Sequence, residues 1–291
     1  MALPVRGRHE SGERIPEATS VTDLNPQREQ MSDESMVRNL AAQANAIWPQ
    51  ESELVRRYGL ADDIRILDAG CGTGEGAARL AEFFPRASVL GVDILDHHLE
   101  LARERHARLG ARLAFEHRSV FELGLPGATF DLTVCRHVIQ SIPHEERVLS
   151  ELARVTKPGG RLHVIAEDYD MLHFRRGPLD PRDFWHEAAG RFTDAGGSNL
   201  FVGRNCPAVM AALGFADIRV DYVVVDTLRV PRETFAAIME AWRDGYTESV
   251  AALTRFSTAE VRGYFEAMIA NIREPGAYAV WHVPVVSARV P

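Results

Sequence analysis

Lysine is nearly absent from this chain: of its 33 lysine and arginine residues, only Lys157 is a lysine. A GC-rich bacterial genome explains that bias most simply, so it carries no functional information. Cysteine is scarce as well, with Cys71, Cys135 and Cys206 far apart in the sequence. Three scattered cysteines make neither a disulfide framework nor a zinc site, which predicts a protein of the reducing cytoplasm.

Long apolar runs and an excess of positive charge are also missing. No stretch approaches the ~20 apolar residues of a membrane-crossing helix, and the N-terminus lacks the apolar core of a secretory signal. The formal net charge of −8 argues against a nucleic-acid backbone or an anionic membrane as main partner. A chain of 291 residues suits one large α/β domain with a cap, or two small domains. We expect a small-molecule substrate and a monomer or homodimer.

The most informative feature that is present is a glycine-rich loop at residues 68–74, Asp-Ala-Gly-Cys-Gly-Thr-Gly, directly after an apolar run. Glycines remove Cβ atoms where a strand turns sharply into a helix, and they let a ligand contact the backbone. The helix predicted at 75–84 would direct its free N–H groups and positive dipole end at that ligand. This arrangement is typical of sites that bind a nucleotide-like molecule.

Two ligand classes compete for this loop. A dinucleotide fingerprint fits loosely at 72–77, but it would place Glu75 beside a pyrophosphate of like charge. The other interpretation places Asp68 at the tip of the first strand and Asp93 at the end of the next, a short apolar strand at 87–93. A carboxylate in the second position can accept hydrogen bonds from both hydroxyls of a ribose.

A third motif, Thr-Lys-Pro-Gly-Gly at 156–160, precedes a predicted strand at 161–166. In this order, the loop, the acid and the Pro-Gly-Gly turn resemble the class I S-adenosylmethionine-dependent methyltransferases over residues 64–166. The resemblance implies S-adenosylmethionine as cofactor and S-adenosylhomocysteine as product. It also implies an α/β fold: a Rossmann-like, doubly wound, mostly parallel seven-stranded sheet with helical lid insertions.

The pattern along the chain predicts five segments. Residues 1–30 lack periodicity and are expected to be disordered. Residues 31–60 form an N-terminal helical lid, with one helix capped by Ser32 and ending before Pro49, and a second at 51–58. Strands and helices alternate through a cofactor-binding core at 61–166, as in parallel sheets. An aromatic lid insert follows at 167–204, and the rest of the sheet at 205–291 carries a helical insertion at 231–272.

The resemblance also assigns cofactor contacts. The glycines should line the methionine and ribose, Asp68 should reach the amino group directly or through water, Asp93 should bind the ribose hydroxyls, and Ile94 should pack on adenine. Many relatives have an acid where this chain has Ser119 and Val120, so adenine contacts would fall to Ser119 and the backbone. The predicted cofactor-binding residues are Asp68, Gly70, Cys71, Gly72, Thr73, Gly74, Asp93, Ile94, Ser119, Val120, Cys135 and Arg136, the last two through their backbone.

Methyl transfer needs mainly alignment, and a base only where the acceptor must lose a proton. His137, after the fourth strand, is the candidate base, and the alternative is a histidine that only fixes its loop. Glu167 and Asp168, after the fifth strand, are further candidates for catalysis or amine binding, against the alternative of a solvated loop. Predicted pocket walls are Tyr169, His173, Trp185, Trp242 and Tyr246, against the alternative of lid core, where aromatics at helical spacing are more often found. His97 and His98 begin a predicted surface helix without a third ligand, so no metal site is expected.

Residues 135–140 lack the motifs of several methyltransferase classes, and this excludes the acceptors of those classes. There is no Asn-Pro-Pro-Tyr turn of exocyclic-amine methylation and no Pro-Cys of cytosine methylation, and Arg136 stands where metal-dependent catechol enzymes have an acid. The predicted function is methyl transfer to O, N or C of a small, partly apolar metabolite with a ring or hydrocarbon surface, as in secondary metabolism or quinone methylation.

The alternatives are a fold relative that catalyses a cyclisation or rearrangement, and a methyltransferase-like accessory subunit. The intact glycine loop argues against the accessory subunit.

Overall fold

The computed structural model describes residues 24–291, in which strands and helices alternate through most of the chain. The strands are β1 Arg65–Ala69, β2 Ser88–Asp93, β3 Leu113–His117, β4 Phe130–Arg136, β5 Thr156–Ile165, β6 Leu172–His173, β7 Ala216–Asp226 and β8 Val280–Arg289. The helices are α1 Arg28–Met31, α2 Glu34–Arg56, α3 Glu75–Phe83, α4 Asp96–Arg105, α5 Glu145–Val155, α6 Pro181–Gly196, α7 Val202–Ala212, α8 Arg232–Leu253 and α9 Thr258–Arg273.

These strands form one sheet in the order β3-β2-β1-β4-β5-β8, with β7 on the far side of β8. Strands β1 to β5 are mutually parallel, and β8 runs antiparallel to both β5 and β7. The doubly wound, mostly parallel fold is therefore confirmed. The sheet has eight strands rather than the seven expected, because the two residues of β6 pair with Trp281 and Val280 at the start of β8.

The direction of chain progression reverses at β1. From β1 the chain proceeds outward to β2 and β3, then returns to β4 on the other side of β1. The pairing register places Ala69 opposite both Val92 and Cys135, so the tips of β1, β2 and β4 lie level. In open α/β sheets, ligands bind in the crevice at the carboxyl ends of such strands.

The N-terminal region differs from the sequence prediction. Disorder was predicted for residues 1–30, of which residues 1–23 lie outside the part of the chain that the structure describes. Residues 24–30, however, include part of α1, and Gln27 is 5% exposed because it packs under α8, where the Tyr246 hydroxyl lies 3.0 Å from its Oε1. The two helices predicted at 32–48 and 51–58 are a single helix, α2, with Pro49 inside it and Asp33 rather than Ser32 as its cap. Its buried face continues past the proline through Glu51, which explains why the helix does not end there.

A helical layer covers one face of the C-terminal half of the sheet. Helices α2, α6, α8 and α9 share one apolar cluster with β7 and β8, and its largest fully buried side chains are Phe184, Phe235, Phe265 and Trp281. This layer contains the segments that the sequence predicts as lids, and it borders the carboxyl ends of the parallel strands. None of the helices within residues 24–291 combines the length and apolarity needed to traverse a bilayer.

Candidate cofactor and catalytic site

The loop after β1 has the conformation that its glycines permit. Gly70 has φ +73°, and a Cβ at this position would lie 2.3 Å from the Val138 side chain. Gly74 caps α3 with φ +79°, in the left-handed region. The N–H groups of Gly70 and Cys71 both donate to the Val92 carbonyl, at 2.8 and 2.9 Å. The loop is thereby held across the tip of β2, with its backbone turned toward the crevice.

Asp93 connects the tip of β2 to this loop. Its Oδ2 accepts from the Gly72 N–H at 2.8 Å, and its Oδ1 accepts from the Leu95 N–H at 3.0 Å. Burial raises the pKa of the Asp93 carboxyl, and the backbone hydrogen bonds oppose that rise. Each oxygen still has acceptor capacity, because a carboxylate offers about four lone-pair sites. Asp93 can therefore bind two hydroxyls while it orders the loop.

Asp93 lines an open cavity of about 730 Å³, which we call the cofactor cavity. Its walls from the parallel sheet include Gly70, Gly72, Asp93, Ile94, Val120, Arg136 and His137. Ser119 is not among the residues that line this cavity; its Oγ accepts from the Phe121 N–H at 3.3 Å, and the neighbouring Val120 lines the cavity. The N-terminal segment closes the other side through Gln27 and Met31.

Sequence reasoning missed one histidine in this cavity. His98 is not on a surface: it is 1% exposed, lines the cofactor cavity, and its Nε2 has no hydrogen-bond partner. Burial lowers the pKa of His98 to about 4, so the ring is neutral near pH 7. The sequence feature that could have identified His98 is its position about one helical turn after Ile94, on the buried face of α4. Among the described residues, no cluster of three or more His, Cys, Asp or Glu side chains is arranged to hold a metal ion.

A second cavity of about 450 Å³ lies between the glycine loop and α2, and we call it the inner cavity. Glu51, Asp68, Gly70, Thr73, Gly76 and Arg136 are among its lining residues. Asp68 is 1% exposed; its Oδ2 accepts from Arg136 at 2.9 Å, and its Oδ1 has no hydrogen-bond partner. Burial raises the pKa of the Asp68 carboxyl, against the opposing charge of Arg136. Arg136, predicted to act through its backbone, thus brings its side chain to both cavities.

Both predicted cysteines are buried, and Cys71 lines the inner cavity. Cys71 is buried within the glycine loop. Burial raises the pKa of its thiol well above the ordinary value, and the negative charge of Asp93 raises it further. Cys135 is fully buried inside β4, and burial raises its thiol pKa as well. A thiol with a raised pKa is a poor nucleophile, so neither sulfur is suited to covalent chemistry.

His137 and Glu167, predicted as alternative bases, form a pair. His137 follows β4 with φ +56°, and its N–H donates to the Ile165 carbonyl at 3.1 Å. Its Nδ1 lies 2.5 Å from Glu167 Oε1, and Glu167 is 2% exposed. Since a carboxylate can only accept, we assign the proton to Nδ1, which leaves Nε2 as a free acceptor. His137 lines both cavities, so its side chain borders the crevice.

Asp168 is not available for catalysis, contrary to the prediction. Its oxygens accept from Arg204 Nε and Nη2 at 2.5 and 2.6 Å, and from the Asp170 N–H at 3.2 Å. The side chain is completely buried at the base of the aromatic insert. The pair attaches this insert to α7, because Arg204 reaches back from that helix. Asp168 is therefore a structural residue.

Four of the five predicted wall residues come together in one aromatic pocket of about 430 Å³. The rings of Tyr169, Trp185 and Trp242 are separated by 5.3 to 5.7 Å between centroids. Tyr246 lines the same pocket, and its partner Gln27 lines both this pocket and the cofactor cavity. The prediction for His173 is wrong: it is exposed on β6, 6.2 Å from the ring of His282, because edge pairing turns it away from the pocket.

Comparison with known proteins agrees with this geometry. Residues 66–160 match a family model described as a methyltransferase domain. The chain is 37% identical over 111 residues to the ubiquinone/menaquinone biosynthesis C-methyltransferase of Syntrophotalea carbinolica, covering 38% of this chain and 47% of that protein. It is 32% identical over 158 residues to the trans-aconitate 2-methyltransferase of Deinococcus radiodurans, covering 53% and 59%. The chain thus spans about half the length of these curated relatives.

A solved structure shows the same fold over nearly the whole chain. The phosphoethanolamine N-methyltransferase 2 of Haemonchus contortus, in complex with S-adenosyl-L-methionine, has a TM-score of 0.59 and 21% identity, covering 91% of this chain and 59% of that one. At that identity the likeness concerns the fold alone. The matched family model shows a methyltransferase domain over residues 66–160, and the glycine loop within it is similar to that of the class I S-adenosylmethionine-dependent methyltransferases, whose cofactor is S-adenosylmethionine.

Proposed function

We propose that this protein transfers a methyl group from S-adenosylmethionine to an oxygen or nitrogen, or to an acidic carbon, of a small, partly apolar metabolite. The observation that carries the proposal is the His137–Glu167 pair, in which Glu167 holds one ring nitrogen of a histidine that lines the crevice beside the glycine loop. A base at this place has a use when the acceptor loses a proton during the reaction. The small-molecule acceptor is consistent with the named relatives.

The residues of the crevice fit the cofactor. Asp93 offers acceptor oxygens for two hydroxyls, Ile94 and Val120 offer an apolar surface for a flat base, and Asp68 Oδ1 is a buried acceptor without a partner. Such an acceptor costs free energy unless a donor binds it, which favours a ligand with an ammonium group. When bound, S-adenosylmethionine supplies a methyl group that its sulfonium charge has already activated.

The chain itself contributes alignment and one proton acceptor. His137 Nε2 would take the proton of the acceptor's hydroxyl or amine. Glu167 would hold the Nδ1–H, keep the ring in one orientation and stabilise the imidazolium that forms. Both residues are fixed by the ends of neighbouring parallel strands, β4 and β5, so their separation does not depend on a flexible loop.

The aromatic pocket would take the apolar body of the acceptor. The rings that line this pocket come from α6, α8 and the segment after β5. Gln27 lines both this pocket and the cofactor cavity, so the two are adjacent. Pockets lined by apolar and aromatic side chains with few polar groups suit ligands with rings or hydrocarbon chains. The acceptor would then extend from this pocket toward His137.

A mass-spectrometric assay tests this function. The protein would be incubated with S-adenosylmethionine carrying a trideuterated methyl group and with a panel of phenols, quinols, aliphatic hydroxy acids and amines. We expect the label on acceptors that combine a ring or hydrocarbon body with an ionisable group. Labelling confined to small, fully charged acceptors without an apolar part would contradict the assigned pocket. Conversion of a panel member without label transfer would instead indicate the cyclisation or rearrangement alternative.

A further inference from the structure

The exposed apolar side chains of the described residues lie together at one edge of the sheet. The large hydrophobic residues that are exposed within residues 24–291 are Val220, Tyr222, Leu228 and Tyr278. Val220 and Tyr222 stand two positions apart on β7, so their side chains share one face of the strand. Single apolar residues on a surface are ordinary, whereas several along one strand indicate a contact surface.

Strand β7 is also the edge of the sheet. It pairs with β8 on one side, and no other strand of the described residues pairs with its outer side. The Gln50 side chain caps the outward N–H and C=O of Val224, at 3.1 and 2.9 Å. Because alternate residues of a strand point these groups to the same side, those of Val220 and Tyr222 also point outward. Unpaired backbone groups and exposed apolar side chains therefore coincide at these two residues.

The charges beside Val220 indicate what this edge can bind. Arg219 and Asp221 flank it on the other face of β7, where Arg219 is exposed and Asp221 is half-buried. Edge strands that avoid pairing often carry lysines, whose like charges repel a second copy. Here the two signs alternate around Val220, so the strand is complementary to itself in the antiparallel direction.

The same charges select one register for such a pairing. With a two-fold axis at Val220, Arg219 lies opposite the partner's Asp221, and symmetry forms this pair twice. An axis at residue 219 would oppose two arginines, and an axis at residue 221 would oppose two aspartates, which destabilises a strand pair. The present partners of these residues, Asp217 for Arg219 and Arg57 for Asp221, bind at the surface, where ion pairs are weak enough to exchange.

We propose that β7 is the interface of a symmetric homodimer, in which residues 218–222 pair antiparallel with the same residues of a second copy about Val220. Val220 exchanges both backbone hydrogen bonds with the partner's Val220, which joins the two sheets into one. An open groove of about 770 Å³ runs beside this edge and is lined by Leu54, Tyr58 and Val220 among others. This groove gives room for side chains of the second strand. The proposal does not depend on the reaction that the protein catalyses.

Sedimentation equilibrium of the full chain tests this interface, at protein concentrations between about 1 and 100 μM. We expect wild type to show a monomer–dimer equilibrium. Arg219→Asp opposes like charges twice in each dimer and should weaken dimerisation by about 10- to 100-fold, as should Asp221→Arg. Combining the two substitutions exchanges the signs but keeps them opposite, so the double variant should dimerise within about threefold of wild type.

The matched control is Arg86→Asp, which makes the same charge change at an exposed position before β2 and should leave the dimer unchanged. Hydrogen exchange locates the contact: amides at residues 220–222 should exchange slowly in the wild-type dimer and fast in Arg219→Asp. A wild type that is monomeric throughout the concentration range would overturn the proposal. So would a dimer that both single variants leave intact, one that the double variant does not restore, or one that Arg86→Asp weakens equally.

Discussion

The two sides of the crevice are built differently. The cofactor side, residues 65–136, uses mainly backbone groups and short side chains at the level tips of β1 and β2, held by contacts such as Gly72 N–H to Asp93. The acceptor side uses long side chains from segments far apart in sequence, including Gln27, His137, Glu167, Trp185 and Trp242. A backbone site tolerates many changes around it, whereas a side-chain site can change its ligand through single substitutions. We therefore expect substitutions on the cofactor side to weaken cofactor binding, and substitutions on the acceptor side to lower activity.

The largest effect is expected on the acceptor side. His137→Ala removes the proposed proton acceptor and should lower kcat by roughly 10²- to 10⁴-fold toward an acceptor found in the labelling assay. His137→Gln is the matched control, because an amide can keep one hydrogen bond but cannot take the proton. If His137→Gln retains most of the activity, His137 only orients its loop, and Glu167 or proximity alone would explain the reaction.

On the cofactor side, Asp93→Ala should weaken binding of S-adenosylhomocysteine by about 1–3 kcal/mol, because charge-assisted bonds to both hydroxyls are lost. Titration calorimetry measures this directly. Asp96→Ala is the control: Asp96 is exposed at the start of α4 and contacts His117 at 2.8 Å. Equal affinities in wild type and Asp93→Ala would remove Asp93 from the site.

Sequence patterns were sufficient for one side and not for the other. The glycine loop, Asp93 and Ile94 could be placed because each stands within a few residues of a strand tip, where local spacing determines geometry. The side chain of Arg136 could not, since its partner Glu51 lies 85 positions earlier in a helix that was expected to stop at Pro49. His98 was misjudged because its burial arises from the tertiary packing of α4 and not from local sequence. Asp168 and His173 were misplaced because ion pairing with Arg204 and pairing of β6 are tertiary events.

The pairing of Glu51 with Arg136 and His163 gives a pH test of the contact between α2 and the sheet. Burial alone would raise the pKa of Glu51, but the Arg136 charge and the His163 hydrogen bond outweigh it and lower the pKa to about 2 from 4.5. A lowered folded-state pKa stabilises the protein above about pH 4.5, and that contribution is lost as the pH falls toward 2. Chemical denaturation should therefore be measured between about pH 4.5 and pH 2. Over this range, the free energy of unfolding should fall less in Glu51→Gln than in wild type.

Glu53→Gln is the control for this measurement, since Glu53 is exposed on the same helix and pairs with Arg56 at the surface. Its pH profile should follow that of wild type. A Glu51→Gln profile that also follows wild type would mean that Glu51 contributes no acid-dependent stability.

The smallest effect is expected where the N-terminal segment meets α8. Tyr246→Phe removes the hydrogen bond to Gln27, worth about 0.5–1.5 kcal/mol, and leaves the ring in the aromatic pocket. Hydrogen exchange at residues 25–31 should become faster, while exchange in β1 and β5 stays slow. Tyr222→Phe, at an exposed position on β7, serves as the control. Unchanged exchange at residues 25–31 would show that other contacts hold this segment.

The central claim is that cofactor binding and acceptor chemistry reside in separate sets of residues. Parallel calorimetric titrations of wild type, Asp93→Ala and His137→Ala with S-adenosylhomocysteine test it most directly. The account predicts one-to-one binding to wild type, about 10- to 100-fold weaker binding to Asp93→Ala, and an affinity of His137→Ala within about twofold of wild type. Absence of binding to wild type, or an equal loss in both variants, would contradict it.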